Sequence, residues 1–225
     1  MLELVVLDIA GTTIEEHGAV YRALEDAVTA AGATLTNDQI QTWMGAGKRE
    51  AIRGLLTGPD GSAPADALVD ATFDDLRQRL DVRYRQTPPT PMPGVVDAFE
   101  LFRRAGIKIA LTTGFDRDVT DRLLASIGWD HTVIDAVICI DDVPAGRPAP
   151  YMIFRAMEAT GVRDVHDVLV AGDTVRDLEA GNNSGAGIVV GVLTGQVPVA
   201  VLAATAHSHI VDSVADIPAL LKRSG

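Results

Sequence analysis

A single cysteine, no run of basic residues and no unbroken apolar segment of membrane-spanning length narrow this 225-residue chain before any motif is read. With only Cys139 present, no intramolecular disulfide can form. Its setting, Ala136-Val137-Ile138-Cys139-Ile140, marks it as a packing residue rather than a nucleophile. Acidic side chains outnumber basic ones 31 to 19, for a net charge of −12, and a chain of that balance without a basic cluster is a poor match for nucleic acid or an anionic membrane. The longest stretch free of charge, Ala180 to Val211, is interrupted by Asn182, Asn183, Gly191, Gln196, Pro198 and His207, so it reads as strand, loop and helix instead of a membrane span. No secretory signal precedes the first strand, since Met1-Leu2-Glu3 runs straight into it, and the expected compartment is the cytoplasm. Neither an internal repeat nor a low-complexity tail is present.

What remains is a chain 47% hydrophobic and 22% charged, long enough for a full core with an insertion. Apolar β-rich runs (Leu2 to Leu7, Ile107 to Thr112, Ala136 to Ile140, Val168 to Ala171, Ile188 to Leu193 and, more weakly, His209 to Val211) alternate with helix-spaced segments at 95–105, 117–127, 150–160 and 175–184. That alternation predicts an α/β fold, a doubly wound, Rossmann-like parallel sheet covered on both faces. Residues 15–90 read differently. Val20, Leu24, Ala27 and Val28, then Ile40, Trp43 and Met44, then Ile52, Leu55 and Leu56, then Leu68, Thr72, Phe73, Leu76 and Leu80 are all helical spacings, with no strand among them. A turn at Gly58-Pro59-Asp60-Gly61-Ser62 interrupts them, and the proline-rich connector Thr87 to Gly94 closes the block. The expectation is a catalytic core of residues 1–14 and 91–225 with an all-helical cap inserted at 15–90.

Several polar residues sit where strands end. Asp8 terminates the first apolar run and is followed by Gly11, Thr12 and Thr13, a placement suited to a nucleophile or a metal ligand at a sheet edge. Val168 to Ala171 ends at Gly172-Asp173-Thr174-Val175-Arg176-Asp177. There Asp173 suits a hard cation, with Asp177 orienting it or a water, and a donor set this sparse suits Mg²⁺. Thr112, Thr113 and Gly114 offer a hydroxyl and loop N–H groups for a phosphoryl oxygen, and Arg147 a cation to pair with it. Taken singly, each is ordinary: an Asp at a strand end usually caps the next helix, and one arginine is usually at the surface. His17 and His131 read as solvated or capping residues, and Trp43 and Trp129 as packing residues.

Taken in order, Asp8, Thr113, Arg147, Asp173 and Asp177 resemble the motifs of the haloacid dehalogenase superfamily, from Leu2 to about Gly191. The resemblance implies that Asp8 is the nucleophile and that Mg²⁺ is held by Asp8, Asp173 and the backbone carbonyl of Ala10. It implies that Thr113, with Thr112 or Gly114, holds the phosphoryl group, and that Asp177 is a metal ligand or a residue just outside the ligands. Most phosphatases of that superfamily carry a second Asp where this chain has Ala10, and that Asp protonates an alkoxide leaving group.

Ala10, Arg147 where many relatives carry Lys, the cap segment Met44-Gly45-Ala46-Gly47-Lys48 and the stretch Asp141 to Pro148 together resemble the phosphonatases. In that family the matching lysine forms a Schiff base with the substrate aldehyde. Breaking a C–P bond would expel a carbanion; an iminium on the adjacent carbon accepts those electrons, and no oxygen then needs an acid at position 10. Lys48 must be neutral to attack a carbonyl, and burial with Arg49 or Arg53 nearby is expected to lower its pKa. The chain departs from the phosphonatase pattern at Ile9, Ala51 and Phe115, where those enzymes have Trp, His and Tyr, which points to a 2-oxoalkylphosphonate other than phosphonoacetaldehyde. Two other classes compete: a phosphatase or phosphotransferase acting on a small phosphate ester, and a binding protein that kept the fold without turnover. The expected partner is a small-molecule phosphonate or phosphate, with homodimerisation left open.

Overall fold

The computed structural model describes residues 1–221. Six parallel strands form one sheet in the order β5-β4-β1-β6-β7-β8. They are β1 (Leu4–Asp8), β4 (Lys108–Thr112), β5 (Ala136–Ile138), β6 (Val168–Gly172), β7 (Ile188–Val192) and β8 (His209–Val211). Side chains alternate across a strand, so each apolar run feeds two cores. Val5, Leu7, Ile109, Leu111 and Leu169 face one side, against Val95, Phe99 and Phe102 of α5 (Val95–Arg104) and Val119, Leu123 and Leu124 of α6 (Arg117–Ser126). Leu4, Val6, Ala110, Val168 and Val170 face the other, against Met152, Ile153 and Ala156 of α7 (Tyr151–Thr160) and Ala180 of α8 (Val175–Ser184). This is the doubly wound arrangement the alternation predicts. Two short helices, α9 (Val199–Ala204) and α10 (Ile217–Leu221), complete it.

Between the first strand and α5 the chain makes four helices: α1 (Ala19–Ala30), α2 (Asn37–Thr42), α3 (Lys48–Leu55) and α4 (Asp66–Gln86). They enclose a separate cluster of Leu24, Val28, Ile52, Leu55, Val69, Phe73 and Leu76. The roots of α1 and α4, through Val20, Ala23 and Leu80, join the main core instead. One detail differs from the sequence reading. A two-residue antiparallel ribbon, β2 (Ile14–Glu15) with β3 (Thr90–Pro91), stands at the neck, where no strand was expected within 15–90. Two residues carry no period, so hydropathy could not reveal it. Ion pairs tie the helical insertion to the core: Arg77 of α4 to Asp118 of α6, and Asp81 of α4 to Arg122 of α6 at 3.1 Å. Among the described residues no helix is long and apolar enough to cross a membrane.

Candidate active site

Parallel strands deliver their carboxyl ends to one edge of a sheet. Asp8 closes β1 in register with Thr112 of β4, and β6 on the other side of β1 runs out into Asp173. Thr13 Oγ1 donates to the Asp8 carbonyl at 2.9 Å, and Thr12 Oγ1 donates to Asp173 Oδ1 at 2.8 Å. Gly11, at φ +87°, has no room for a side chain: a Cβ there would lie 2.7 Å from Asp173 Oδ2. The loop after β7 approaches from the opposite side, where Gly195 passes so close that a Cβ would overlap the Asp173 carboxylate, and Thr194 Oγ1 donates to the Gly11 carbonyl at 2.6 Å.

Arg147 links the two acidic strand ends. Its Nη1 donates to Asp8 Oδ1 at 2.6 Å and also to Asp177 Oδ1, with all three side chains buried. The second Asp177 oxygen accepts from Thr174 N–H at 3.0 Å and Thr174 Oγ1 at 2.5 Å, the reciprocal cap that starts α8. Both oxygens of Asp177 are therefore engaged by protein donors, which fits an orienting residue better than a direct metal ligand. Arg147 Nε is buried with no partner, a donor left over for an anion. Asp173 is pushed up to about 7, first by burial and then by the charge of Asp8. A buried carboxylate whose proton affinity is raised by the charge of a second one beside it also makes, with that neighbour, a place for a hard divalent cation. The carbonyl of Ala10 accepts no hydrogen bond among the described residues, which adds a third oxygen. Among the described residues no group of three or more His, Cys, Asp or Glu is placed to hold a metal ion by itself, which is unlike the all-protein cage that structural Zn²⁺ takes. Two carboxylates and a carbonyl fit Mg²⁺, which keeps several waters.

The helical insertion supplies the remaining groups by laying the loop 44–47 on the core. A Cβ at Gly45 (φ +76°) would come 2.5 Å from Thr174 Oγ1, and one at Gly114 would come 2.7 Å from the Ala46 carbonyl. That contact seats Lys48, the first residue of α3, inside the cleft: it is 6% exposed and its Nζ donates to the Ala46 carbonyl at 3.0 Å. The rings of Tyr21 and Phe115 flank the ammonium at 5.6 and 5.5 Å. Its pKa falls to about 8, chiefly by burial, then by Arg147 and Arg176, against the opposing charges of Asp8 and Glu16. The expected helpers Arg49 and Arg53 play no part in this. They turn outward to Asp70 and Asp66, which neutralise them. A cleft of about 1000 Å³ reaches Lys48, Arg147 and Gly114 from the side lined by Phe73, Arg77 and Ile140.

The structure thus gathers Asp8, Lys48, Thr112, Thr113, Gly114, Arg147, Asp173 and Asp177 at one end of the sheet. Thr113 Oγ1 accepts from Phe115 N–H at 3.1 Å, which keeps its own proton for another acceptor. Sequence reasoning passed over Thr12, Glu16, Tyr21, Arg176 and the Thr194-Gly195 loop. Thr12 and Arg176 lay inside motifs already chosen, but the others carry no local signature and converge only through the fold. His17 stays at the surface, in the left-handed region at φ +56°.

A buried cation held below its ordinary pKa weakens the fold. Lys48→Met should therefore stabilise the metal-free protein by roughly 1–4 kcal/mol. The sign follows from the pKa: folding lowers it from about 10.4 to about 8, so the burden is full below pH 8 and fades as pH rises towards 10.4. Thermal melts from pH 6 to 10 check this. The variant's advantage should be largest at the acid end, and no advantage there would place Lys48 in solvent.

Three comparisons bear on this geometry. Residues 2–185 match the family model described as haloacid dehalogenase-like hydrolase. A phosphonoacetaldehyde hydrolase from Paraburkholderia phytofirmans is 28% identical over 194 residues, covering 82% of this chain and 72% of that protein. Among solved structures, a phosphonoacetaldehyde hydrolase-like protein from Oleispira antarctica superimposes with a TM-score of 0.83 at 22% identity, over 99% of this chain and 92% of that one. A β-phosphoglucomutase from Clostridium difficile superimposes with a TM-score of 0.84 at 14% identity, over 100% and 96%. At these identities the two structures report the shared fold alone.

Proposed function

This chain belongs to the haloacid dehalogenase-like hydrolases, and within that family we propose that it cleaves the C–P bond of a 2-oxoalkylphosphonate, with residues 15–90 acting as the cap that closes over the substrate. The observation that carries the reading is Lys48: a cleft-buried amine with its pKa drawn down to about 8, beside Arg147 and Asp8. At pH 7 about one such amine in ten is neutral, against fewer than one in a thousand for a free lysine. The phosphonoacetaldehyde hydrolases among the relatives of this chain support the same reaction class.

Neutral Lys48 adds to the substrate carbonyl, and loss of water leaves an iminium two atoms from phosphorus. Asp8 attacks phosphorus through Oδ2, because Oδ1 is held by Arg147. The C–P electrons move into the iminium, giving an enamine on Lys48 and an aspartyl phosphate on Asp8. The enamine carbon takes a proton from water, which restores the iminium, and water then hydrolyses the iminium and the aspartyl phosphate, releasing phosphate and the carbonyl compound. Thr113, Gly114 and the unpartnered Nε of Arg147 hold the phosphoryl oxygens, and Thr112 closes the floor opposite Asp8. Asp177 keeps Arg147 aimed. A Mg²⁺ ion bound by Asp8, Asp173 and the Ala10 carbonyl would offset the phosphoryl charge.

The test is a phosphate-release screen over oxoalkylphosphonates, alkyl phosphates and aryl phosphates. Ala10 cannot protonate a departing oxygen, and general acid catalysis is worth roughly 10²–10⁴-fold. Alkyl phosphates should lag behind the phosphonate by at least that range, with aryl phosphates, whose leaving groups need little protonation, in between. Efficient alkyl phosphate turnover would overturn the C–P reading in favour of a phosphatase.

A further inference from the structure

Tyr21, on the first turn of α1, is used by no step above, yet its ring packs beside the Lys48 ammonium. Its ring lies 5.6 Å from Lys48 Nζ, and its hydroxyl accepts the Gly45 N–H at 3.3 Å. Among the described residues that hydroxyl donates to nothing, so its proton is free for an acceptor beside the Gly45 loop. The residue as a whole is half-buried, but its hydroxyl end is deeply desolvated. The acids around it, Asp173, Asp8 and Glu16, lie close enough to act on it electrostatically. All of them oppose loss of its proton, so the phenol stays a donor throughout the working range. Imine formation at Lys48 has a demand that no step above meets. When the carbinolamine expels its oxygen, that oxygen must leave as water, not as hydroxide. Asp8 and Arg147 are committed to the phosphoryl end, Asp177 to Arg147, and Glu16 accepts the Val20 N–H at 2.8 Å that starts α1.

We propose that Tyr21 is the catalytic acid of imine formation, donating its phenolic proton to the carbinolamine oxygen on Lys48. The proposal rests on the C–P reading and adds a residue and a proton path to it. The lysine nitrogen lone pair forms C=N as the C–O bond breaks, and the departing oxygen takes the Tyr21 proton and leaves as water. In the last half of the cycle the enamine carbon takes a proton from solvent, water adds to the iminium so formed and gives one proton back to the phenolate, so Tyr21 ends as it began. Gly45 N–H, already on the hydroxyl oxygen, stabilises the transient phenolate. The phenol is a weak acid, but the leaving hydroxide is a far stronger base, so the transfer is downhill as the bond breaks.

Tyr21→Phe keeps the ring beside Lys48 and removes only the hydroxyl. The readout is the rate at which borohydride traps the Lys48 imine with a 2-oxoalkylphosphonate, measured by mass spectrometry across a series of buffer-acid concentrations at fixed pH. Parent protein should trap rapidly and independently of buffer. Tyr21→Phe should trap 10²-fold or more slowly, and its rate should rise with buffer acid as an external donor replaces the phenol. A Tyr21 that merely pinned the Gly45 loop would slow trapping with no buffer dependence, and that result overturns the proposal, as does trapping at the parent rate. If the parent itself forms no imine, the C–P reading falls and this proposal falls with it; if the parent traps and the variant matches it, only the role of Tyr21 falls.

Discussion

Replacing Lys48 by arginine should abolish phosphate release from a 2-oxoalkylphosphonate while leaving the fold and divalent-cation binding in place. The substitution keeps a cation between the Tyr21 and Phe115 rings and opposite Asp8 and Glu16. What it removes is an amine that can be neutral, since a guanidinium does not lose its proton in a protein. Without an imine the C–P electrons have no acceptor, so the loss should be complete and not a change in KM. Borohydride should no longer attach substrate to the peptide carrying residue 48. In the parent, the trapping rate should rise with pH and level off above about 8, as the neutral amine becomes the major form. Melting curves with and without Mg²⁺ should show the same cation-dependent gain for parent and variant, because Asp8, Asp173 and Ala10 are untouched. A variant that cleaves the phosphonate at the parent rate would leave Lys48 with no chemical role and return the site to plain phosphate transfer.

Much of this arrangement was legible in the chain, for identifiable reasons. The parallel sheet announced itself because strands buried on both faces are apolar along their length, as β6 is and as β1 is up to its terminal Asp8. Asp8, Arg147 and Asp173 were readable because each follows such a strand or the loop beyond it, and the sheet carries all strand ends to one edge. Lys48 was readable from its place after two glycines, and the closeness of Gly45 to Thr174 supplies the physical reason those glycines are there. The source of its depressed pKa was not legible. The sequence neighbours Arg49 and Arg53 pair outward with Asp70 and Asp66, while Arg147 arrives from a loop and Arg176 from the first turn of α8, about a hundred residues or more further on. Tyr21 was hidden for the same reason: its spacing matches a helix in the cap, and only the packing of α1 beside the loop before α3 brings its ring to the lysine and its hydroxyl to Gly45. A pattern along the chain reports what a single element needs, and a pKa or a proton path is set by elements that meet in space.

Asp8→Asn should reduce phosphate release by on the order of 10⁴–10⁶-fold, the range seen when a nucleophile is removed and the rest of a site is kept. The amide cannot attack phosphorus to form the acyl phosphate, so no substrate with any leaving group should rescue it. The fold should survive, because Arg147 retains its pairing with Asp177 and the backbone of β1 is unchanged. The same variant carries a second, independent signature. In the metal-free parent, burial and the charge of Asp8 hold Asp173 up at about 7, above the ordinary carboxyl value near 3.9. A carboxyl whose pKa is higher in the folded state contributes stability that is full at low pH and is lost as pH rises through about 4 to 7. Asn at position 8 removes the like charge, so Asp173 should titrate lower and that loss should shrink. Metal-free melts between pH 4 and 8 should therefore slope down less steeply for the variant than for the parent. The two carboxylates would also no longer act together on a cation, so the Mg²⁺-dependent gain in Tm should fall. Near-normal turnover by Asp8→Asn would remove Asp8 as the nucleophile. An unchanged pH slope would mean that burial alone, without Asp8, holds the Asp173 proton.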